Sequence, residues 1–305
     1  MALPTFLCVG AEKGGTTPLA RILGQHRDVF VSPQKETHYF SRHFDRENLV
    51  FYESRFFQGH RGQRAVGELT PDYMRHPEVP GRILAALGDD VKLIFCLRDP
   101  VARAFSQYLQ CTRILVESES FEQAIELEPQ RLSASYFHGI RQSYVGGSLY
   151  ATQVARFLQF FPRENLFFML LEEDFQRNRA QTVDRLMSFL GVDRDPDVEL
   201  NVLDTSLPPP TVTFVERQGQ IVVQQTDGTR FPLPLGAIVF KTGNAGLDRV
   251  IAQPSEGLRA FFATLHRNLT RQLSPEVAHA LYHRFRDDIS RMEEILERDL
   301  SMWRR

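Results

Sequence analysis

Gly10-Ala-Glu-Lys13-Gly14-Gly15-Thr16-Thr17-Pro18-Leu19 is the stretch that decides how this chain reads. The apolar run before it, Thr5-Phe-Leu-Cys-Val-Gly10, has the length and side chains of a buried strand, and residues 17–24 carry a helical pattern. A strand that turns through two glycines directly into a helix gathers unpaired backbone N–H groups and the positive end of a helix dipole at one point. An anion belongs there. Lys13 adds a positive charge ahead of the glycines, Thr16 and Thr17 add hydroxyl donors, and Thr16 is also placed to cap the helix. A plain strand-to-helix turn with a capping threonine is the blander alternative.

The spacing differs from the triphosphate loop G-x-x-x-x-G-K-[ST], whose lysine follows the last glycine and reaches the β- and γ-phosphates. Here Lys13 comes first and a threonine follows Gly15. That departure points to an anion shorter than a triphosphate.

Outward from this loop, apolar runs over 29–32, 64–69, 91–97 and 165–171 read as strands. Helical patterns over 48–57, 79–87, 150–161 and 179–190 lie between or beside them. Strands alternating with helices predict an α/β fold, a parallel sheet flanked by helices with a P-loop-like anion loop. After Pro196 the pattern changes. Leu207-Pro-Pro-Pro210 is stiff and extended, and alternating runs at 211–216 and 220–226, with a second turn at Asp227-Gly228, predict a β-hairpin insertion within 211–240. Residues 254–303 turn helical again, with Val277, Leu281, Phe285, Ile289, Met292, Ile295 and Leu296 on one face of a helix over 275–300. The expectation is a single domain over 1–305.

The chain is neither strongly basic nor strongly acidic: 36 lysines and arginines stand against 38 acids, a formal net charge of −2. That balance argues against a protein that coats nucleic acid or an anionic membrane by bulk charge. Three cysteines, Cys8, Cys96 and Cys111, lack metal-ligand spacing, and Cys8 and Cys96 sit inside strand-like runs as packing residues. No signal peptide or membrane-spanning run is apparent, so a cytoplasmic location without membrane insertion is expected.

A second anion element follows the 91–97 run. Leu97 leads into Arg98-Asp99-Pro100, with Arg103 and then Ser106-Gln-Tyr108. Pro100 suits a first helical turn, which sets Ser106 about two turns along, within reach of a group that Arg98 grips at the strand end. Arginine forks onto phosphate and serine donates one more hydrogen bond. Pairing of Arg98 with Asp99 or another carboxylate is the competing reading.

Together, Lys13-Gly-Gly-Thr-Thr17 and Leu-Arg98-Asp-Pro…Ser106-x-Tyr108 resemble the two elements by which sulfotransferases bind 3′-phosphoadenosine 5′-phosphosulfate (PAPS). Lys35-Glu36-Thr37-His38-Tyr39-Phe40, Gly67-Glu-Leu-Thr70-Pro71-Asp-Tyr73, Gly147-Ser-Leu-Tyr150 and Phe189-Leu-Gly191 are similar to segments of the heparan-sulfate type and its bacterial relatives. The resemblance implies that Lys13, Gly14, Gly15, Thr16 and Thr17 hold the 5′-phosphosulfate and that Arg98 and Ser106 hold the 3′-phosphate. It implies Glu36 as general base, with Lys13 as a catalytic cation; no metal is expected, since no triphosphate must be clamped and no carboxylate or histidine cluster has ligand spacing. His38 is a further catalytic candidate, to orient Glu36, contact the acceptor or take the proton itself. A structural ion pair of Glu36 with Lys35 or Lys13 is the alternative reading of that residue.

Two departures shape the acceptor. Leu69 stands where the heparan-sulfate enzymes have a lysine associated with the polysaccharide. Their late lysine- and glycine-rich loop has its counterpart in Phe240-Lys241-Thr-Gly243-Asn-Ala-Gly246, without nearby cysteines, and Lys241 is carried over from it as a cofactor-binding candidate. A small-molecule, lipid or carbohydrate acceptor is expected. A nucleoside-triphosphate-dependent kinase and a catalytically inactive nucleotide-binding module are the competing functions.

Overall fold

Five of the apolar runs pair into one sheet. A computed structural model describes residues 3–114, 116–134, 136–201, 213–217, 220–224, 230–232, 264, 267–268 and 271–304. Its strands are β1 (Phe6–Gly10), β2 (Val29–Val31), β3 (Ala65–Leu69), β4 (Lys92–Leu97) and β5 (Leu166–Leu170), all parallel, in the order β2-β3-β1-β4-β5. Every residue of β1, β3 and β5 is buried, as a parallel sheet covered on both faces requires. This is the α/β architecture the alternating pattern predicts.

Helices α1 (Thr16–Leu23), α2 (Leu49–Phe56), α3 (Val79–Leu87), α4 (Pro100–Arg113), α5 (Phe121–Ala134), α6 (Tyr136–Arg141), α7 (Tyr150–Leu158), α8 (Arg179–Leu190) and α9 (Pro275–Leu296) accompany the sheet in chain order. On one face, Leu19, Ile22 and Leu23 of α1 and Val183, Leu186, Met187 and Leu190 of α8 pack with Cys8, Ile94, Cys96 and Met169. Each such aliphatic side chain contributes about 1.5–3 kcal/mol on burial. On the other, Phe157 of α7 meets Phe95 edge to face at 5.2 Å. Cys8, Cys96 and Cys111 are free and buried, as packing residues should be.

Contacts divide the chain into two units. One comprises Met1–Gln107, Leu127–Asp204 and Leu273–Arg305, and contains the parallel sheet. The other comprises Tyr108–Glu126 and Thr205–Gln272. In it the expected hairpin forms from β6 (Thr213–Arg217) and β7 (Gln220–Gln224), and β8 (Arg230–Pro232) extends it to a three-stranded antiparallel sheet. The helix expected over 275–300 stops at Leu296, because Glu297 takes a left-handed conformation (φ 53°) that ends the helical ladder.

Four buried side chains brace the sheet unit through polar groups. Arg103 of α4, fully buried, donates to Ser148 Oγ at 2.6 Å and to the carbonyls of Tyr144 at 2.6 Å and Ser143 at 3.2 Å. Ser148 and Tyr150 in turn donate to the carbonyls of Pro100 (2.8 Å) and Arg98 (2.9 Å). The Gly147–Tyr150 segment thus braces the turn that follows β4. Asp288 of α9 accepts from the N–H groups of Tyr150 (2.8 Å) and Ala151 (3.0 Å), capping α7 from far along the chain.

Burial pushes the Asp288 carboxyl up to about 6, against the hydrogen bonds that favour its charge. A carboxyl raised above its unfolded value makes the native state bind more protons, so its contribution to stability grows as pH falls from neutrality through about 6. Chemical denaturation of the wild type and of Asp288→Asn across that window should show the difference moving in favour of the wild type on acidification. The slope should be at most about 1.4 kcal/mol per pH unit; parallel curves would remove Asp288 as its source.

Candidate active site

The carboxyl ends of β2, β3, β1 and β4 lie side by side in that order. The chain leaves β1 towards β2 and leaves β4 towards β5, so the strand order reverses between β1 and β4. Open parallel sheets bind their ligands at such a switch point.

At the end of β1 the 11–15 loop is fastened to β4. The Ala11 N–H donates to the Cys96 carbonyl at 2.7 Å, and the Gly14 N–H donates to the Ala11 carbonyl at 3.0 Å. Gly14 lies against the same Cys96 carbonyl, with which any Cβ would collide. Gly15 adopts φ 97°, and a Cβ there would fall 2.8 Å from Leu171 Cδ1. Both glycines are therefore required by sterics. The expectation that Thr16 caps α1 is corrected: Gly15 occupies the N-cap position, without a side-chain cap, and Thr16 is already helical. The N-cap residue therefore supplies no side-chain acceptor to the first turn of α1. Thr16 is buried, Thr17 exposed, and Lys13 half-buried with φ 69°. Glu12, beside Lys13, pairs with Arg75.

At the end of β4, Asp99 makes its side-chain hydrogen bonds to groups other than Arg98. Its Oδ1 accepts from the Ala102 N–H at 2.9 Å and caps α4, and its Oδ2 accepts from the Tyr282 hydroxyl at 3.0 Å. The Asp99 N–H donates to Glu172 Oε1 at 3.1 Å. Arg98 Nε lies 4.0 Å from that same oxygen and is buried without a hydrogen-bond acceptor. Burial pushes the Glu172 carboxyl up. Ser106 sits half-buried about two turns along α4.

Glu36 and His38 follow β2, and the Glu36 N–H donates to the Leu69 carbonyl at the end of β3 (3.3 Å). Lys35 Nζ donates to Glu36 Oε1 at 3.1 Å, so the lysine pairing foreseen for Glu36 does form. Glu36 Oε2 lies 3.6 Å from His38 Nε2, and the other ring nitrogen, Nδ1, lies 2.8 Å from Asp72 Oδ2. Burial alone would raise Asp72, but hydrogen bonds from His38 and His76 outweigh it and hold the carboxyl far below the usual range.

Thr37, between Glu36 and His38, points the other way. Its hydroxyl donates to Glu68 Oε1 at 2.9 Å, and Glu68, fully buried, also accepts from the hydroxyls of Tyr52 (3.0 Å), Tyr73 (2.8 Å) and Thr70 (2.5 Å). Burial raises the Glu68 carboxyl despite these donors. With Thr37 held inward, Glu36 and His38 take φ of 68° and 52°. Non-glycine residues at positive φ cost of order 1–3 kcal/mol each and concentrate at functional sites. Among the described residues, three of the four such positions are Lys13, Glu36 and His38.

Most aromatic residues following Glu36 are core rather than cleft, with Phe44 and Phe51 half-buried. Tyr39, Phe40, Tyr52, Phe56, Phe57 and Tyr73 are all at most 4 % exposed, and Tyr39 stacks on Tyr52 at 4.1 Å. Tyr144 is likewise buried. Lys241 lies outside the described residues. Sequence reasoning missed Asp72, Glu68 and Glu172. One acid inside a strand and one just after it, in Gly67-Glu-Leu-Thr-Pro-Asp72, were the available signal, but their Thr37 and His38 partners come from another segment.

A family model described as "Sulfotransferase domain" matches residues 3–208. Mouse heparan sulfate glucosamine 3-O-sulfotransferase 3B1 is 33% identical over 192 residues, which cover 63% of this chain and 47% of that protein. Human heparan sulfate glucosamine 3-O-sulfotransferase 6 is 33% identical over 196 residues, covering 63% and 53%. The chain thus spans about half the length of these relatives. The crystal structure of a sulfotransferase from Alicyclobacillus acidocaldarius is similar over 100% of both chains, with a TM-score of 0.68 and 28% identity. With the matched domain covering most of its length, from β1 past α8, the chain belongs to the sulfotransferase domain family.

Proposed function

We propose that the protein transfers a sulfuryl group from PAPS to a hydroxyl or amine of a carbohydrate, lipid or other small acceptor. The observation that carries this reading is the fastening of the 11–15 loop to the Cys96 carbonyl, two residues before Arg98. It brings the 11–15 loop and Arg98 to adjacent strand ends, which supports a fit to one nucleotide with two anionic ends. The start of α1, whose N-cap is a glycine, and Arg98, whose Nε lacks a hydrogen-bond acceptor but pairs with Glu172 at 4.0 Å, suit those ends. A kinase is not favoured, since Lys13 precedes the glycines and the family model is that of sulfotransferases.

In this reading Gly14, Gly15, Thr16 and Thr17 hold the 5′-phosphosulfate. Lys13 neutralises charge building on the bridging oxygen, and Arg98 with Ser106 holds the 3′-phosphate. Lys241, outside the described residues, stays a candidate for the nucleotide on the family resemblance alone. Glu36 removes the acceptor's proton. Sulfuryl transfer asks the protein for in-line positioning and charge stabilisation rather than covalent work. The names of the heparan sulfate relatives support a carbohydrate hydroxyl. Leu69 is 1 % exposed and provides no cation at the β3 end, which favours an acceptor without an anionic group there. Among the described residues no helix is long and apolar enough to cross a membrane. Three free cysteines suit a reducing compartment such as the cytoplasm.

Thermal unfolding tests the nucleotide. Adenosine 3′,5′-bisphosphate (PAP) at a hundred times its Kd should stabilise the fold by about 2.7 kcal/mol, and Mg-ATP should do far less; the reverse order would restore the kinase. Arg98→Ala should weaken PAP much more than 5′-AMP, measured by calorimetry, whereas equal weakening would remove Arg98 from the 3′-phosphate. Glu36→Gln should keep PAP affinity and lose turnover about 10²-fold or more, the usual effect of deleting a general base. Undiminished turnover with a radiolabelled donor would take Glu36 out of that role.

A further inference from the structure

His38 is held between two carboxylates of different character. On one side Asp72 is 2 % exposed, and besides His38 Nδ1 at 2.8 Å it collects the Ser41 hydroxyl (3.3 Å to Oδ1), Arg42 Nη2 at 3.5 Å and His76 Nε2 at 3.8 Å. On the other, Glu36 is 35 % exposed along its side chain, shares Oε1 with Lys35 and presents Oε2 to His38 Nε2 at 3.6 Å. The first contact is a hydrogen bond; the second is too long to be one. Asp72, surrounded by donors, remains an ionised carboxylate and so can only accept. The hydrogen between Asp72 and the ring therefore belongs to Nδ1, and a neutral ring directs the lone pair of Nε2 at Glu36.

We propose that Asp72 is a positioning residue for sulfuryl transfer, fixing the His38 ring and tautomer so that Glu36 and His38 together receive the acceptor's proton. This rests on Glu36 as base in the function proposed above. In the step, the acceptor O–H bond breaks and its proton moves to Glu36 Oε2, then to His38 Nε2. The acceptor oxygen bonds to sulfur while the bond from sulfur to the bridging oxygen breaks, its electron pair leaving with PAP. The imidazolium then lies between two carboxylates and Glu36 is again ionised. Asp72 touches no substrate; it acts through the ring, as the orienting acid does in a serine-hydrolase triad.

The ring nitrogens supply a readout that turnover alone does not. Nitrogen-15 NMR of the wild type above neutral pH, with His38 assigned by the resonances missing from His38→Gln, should show hydrogen on Nδ1 and none on Nε2. Asp72→Asn should leave PAP affinity within about twofold and lower kcat by about 10²- to 10⁴-fold, the range for an orienting acid. Placed in His38→Gln, the same substitution should cost less than about threefold more, because residues acting as one unit are not additive. A wild-type ring with a bare Nδ1 overturns the proposal even where Asp72→Asn fails to fold, and so does full additivity in the double variant. Failure of PAP to stabilise the wild type would instead sink the donor reading, and the ring measurement distinguishes the two.

Discussion

The hydrogen bond from the Ala11 N–H to the Cys96 carbonyl is the constraint on which the site depends. It arises from an irregularity in the pairing of β1 with β4. Cys8 lies opposite Ile94, yet Gly10 lies opposite Phe95, so β1 carries one extra residue and Ala11 comes level with Cys96. The loop consequently folds over the end of β4 instead of running past it. Gly14 can then rest on that carbonyl only because it has no side chain. Without the irregularity, the cation of the loop and the arginine after β4 would still stand on neighbouring strands, but nothing would register one against the other.

The opposite end of the site is built by inversion. Thr37 is drawn into the interior by Glu68, and the residues on either side of it are turned outward at a cost in backbone strain. Hydrogen bonds to a charged group are worth about 1.5–3 kcal/mol each, and Glu68 receives four from hydroxyls. They offset the cost of burying its charge without eliminating it, since its carboxyl remains raised. What the arrangement secures is direction: hydroxyls from the segment after β2, from α2 and from the turn after β3 converge on one carboxylate. The Glu36–His38 segment is thereby held against the β3 end.

The strands, the anion loop and helices α1, α7 and α8 were legible because each rests on local signals: apolar runs, glycine placement and helical periodicity. The strand order reverses beside the anion loop, which periodicity does not encode, yet the loop itself pointed to that edge. Other features were hidden for physical reasons. Whether Thr16 or Gly15 caps α1 depends on which residue takes a left-handed conformation, and steric contact with Cys96 and Leu171 decides it. The aromatic residues after Glu36 have a composition compatible with a cleft or a core, and only tertiary packing chooses the core. Asp72 is invisible from its own neighbourhood, since what gives it meaning is a ring nitrogen on the segment after β2.

Two buried carboxylates a few residues apart, Glu68 and Asp72, illustrate how donor type sets their electrostatics. Burial leaves Glu68 raised despite its hydroxyl donors, whereas the imidazoles of His38 and His76 hold Asp72 low against its burial. The difference gives the edge of the sheet a polarity. Lys13 and Arg98 stand at the ends of β1 and β4, and Glu36 and Asp72 follow β2 and β3. An anion is attracted to the first pair and a proton to the second. A reaction that must hold negative charge on a departing phosphate while removing a proton from an incoming nucleophile needs that separation. Because both halves are anchored to β1 and its two neighbours, the polarity is fixed by strand order and does not wait for a ligand to create it.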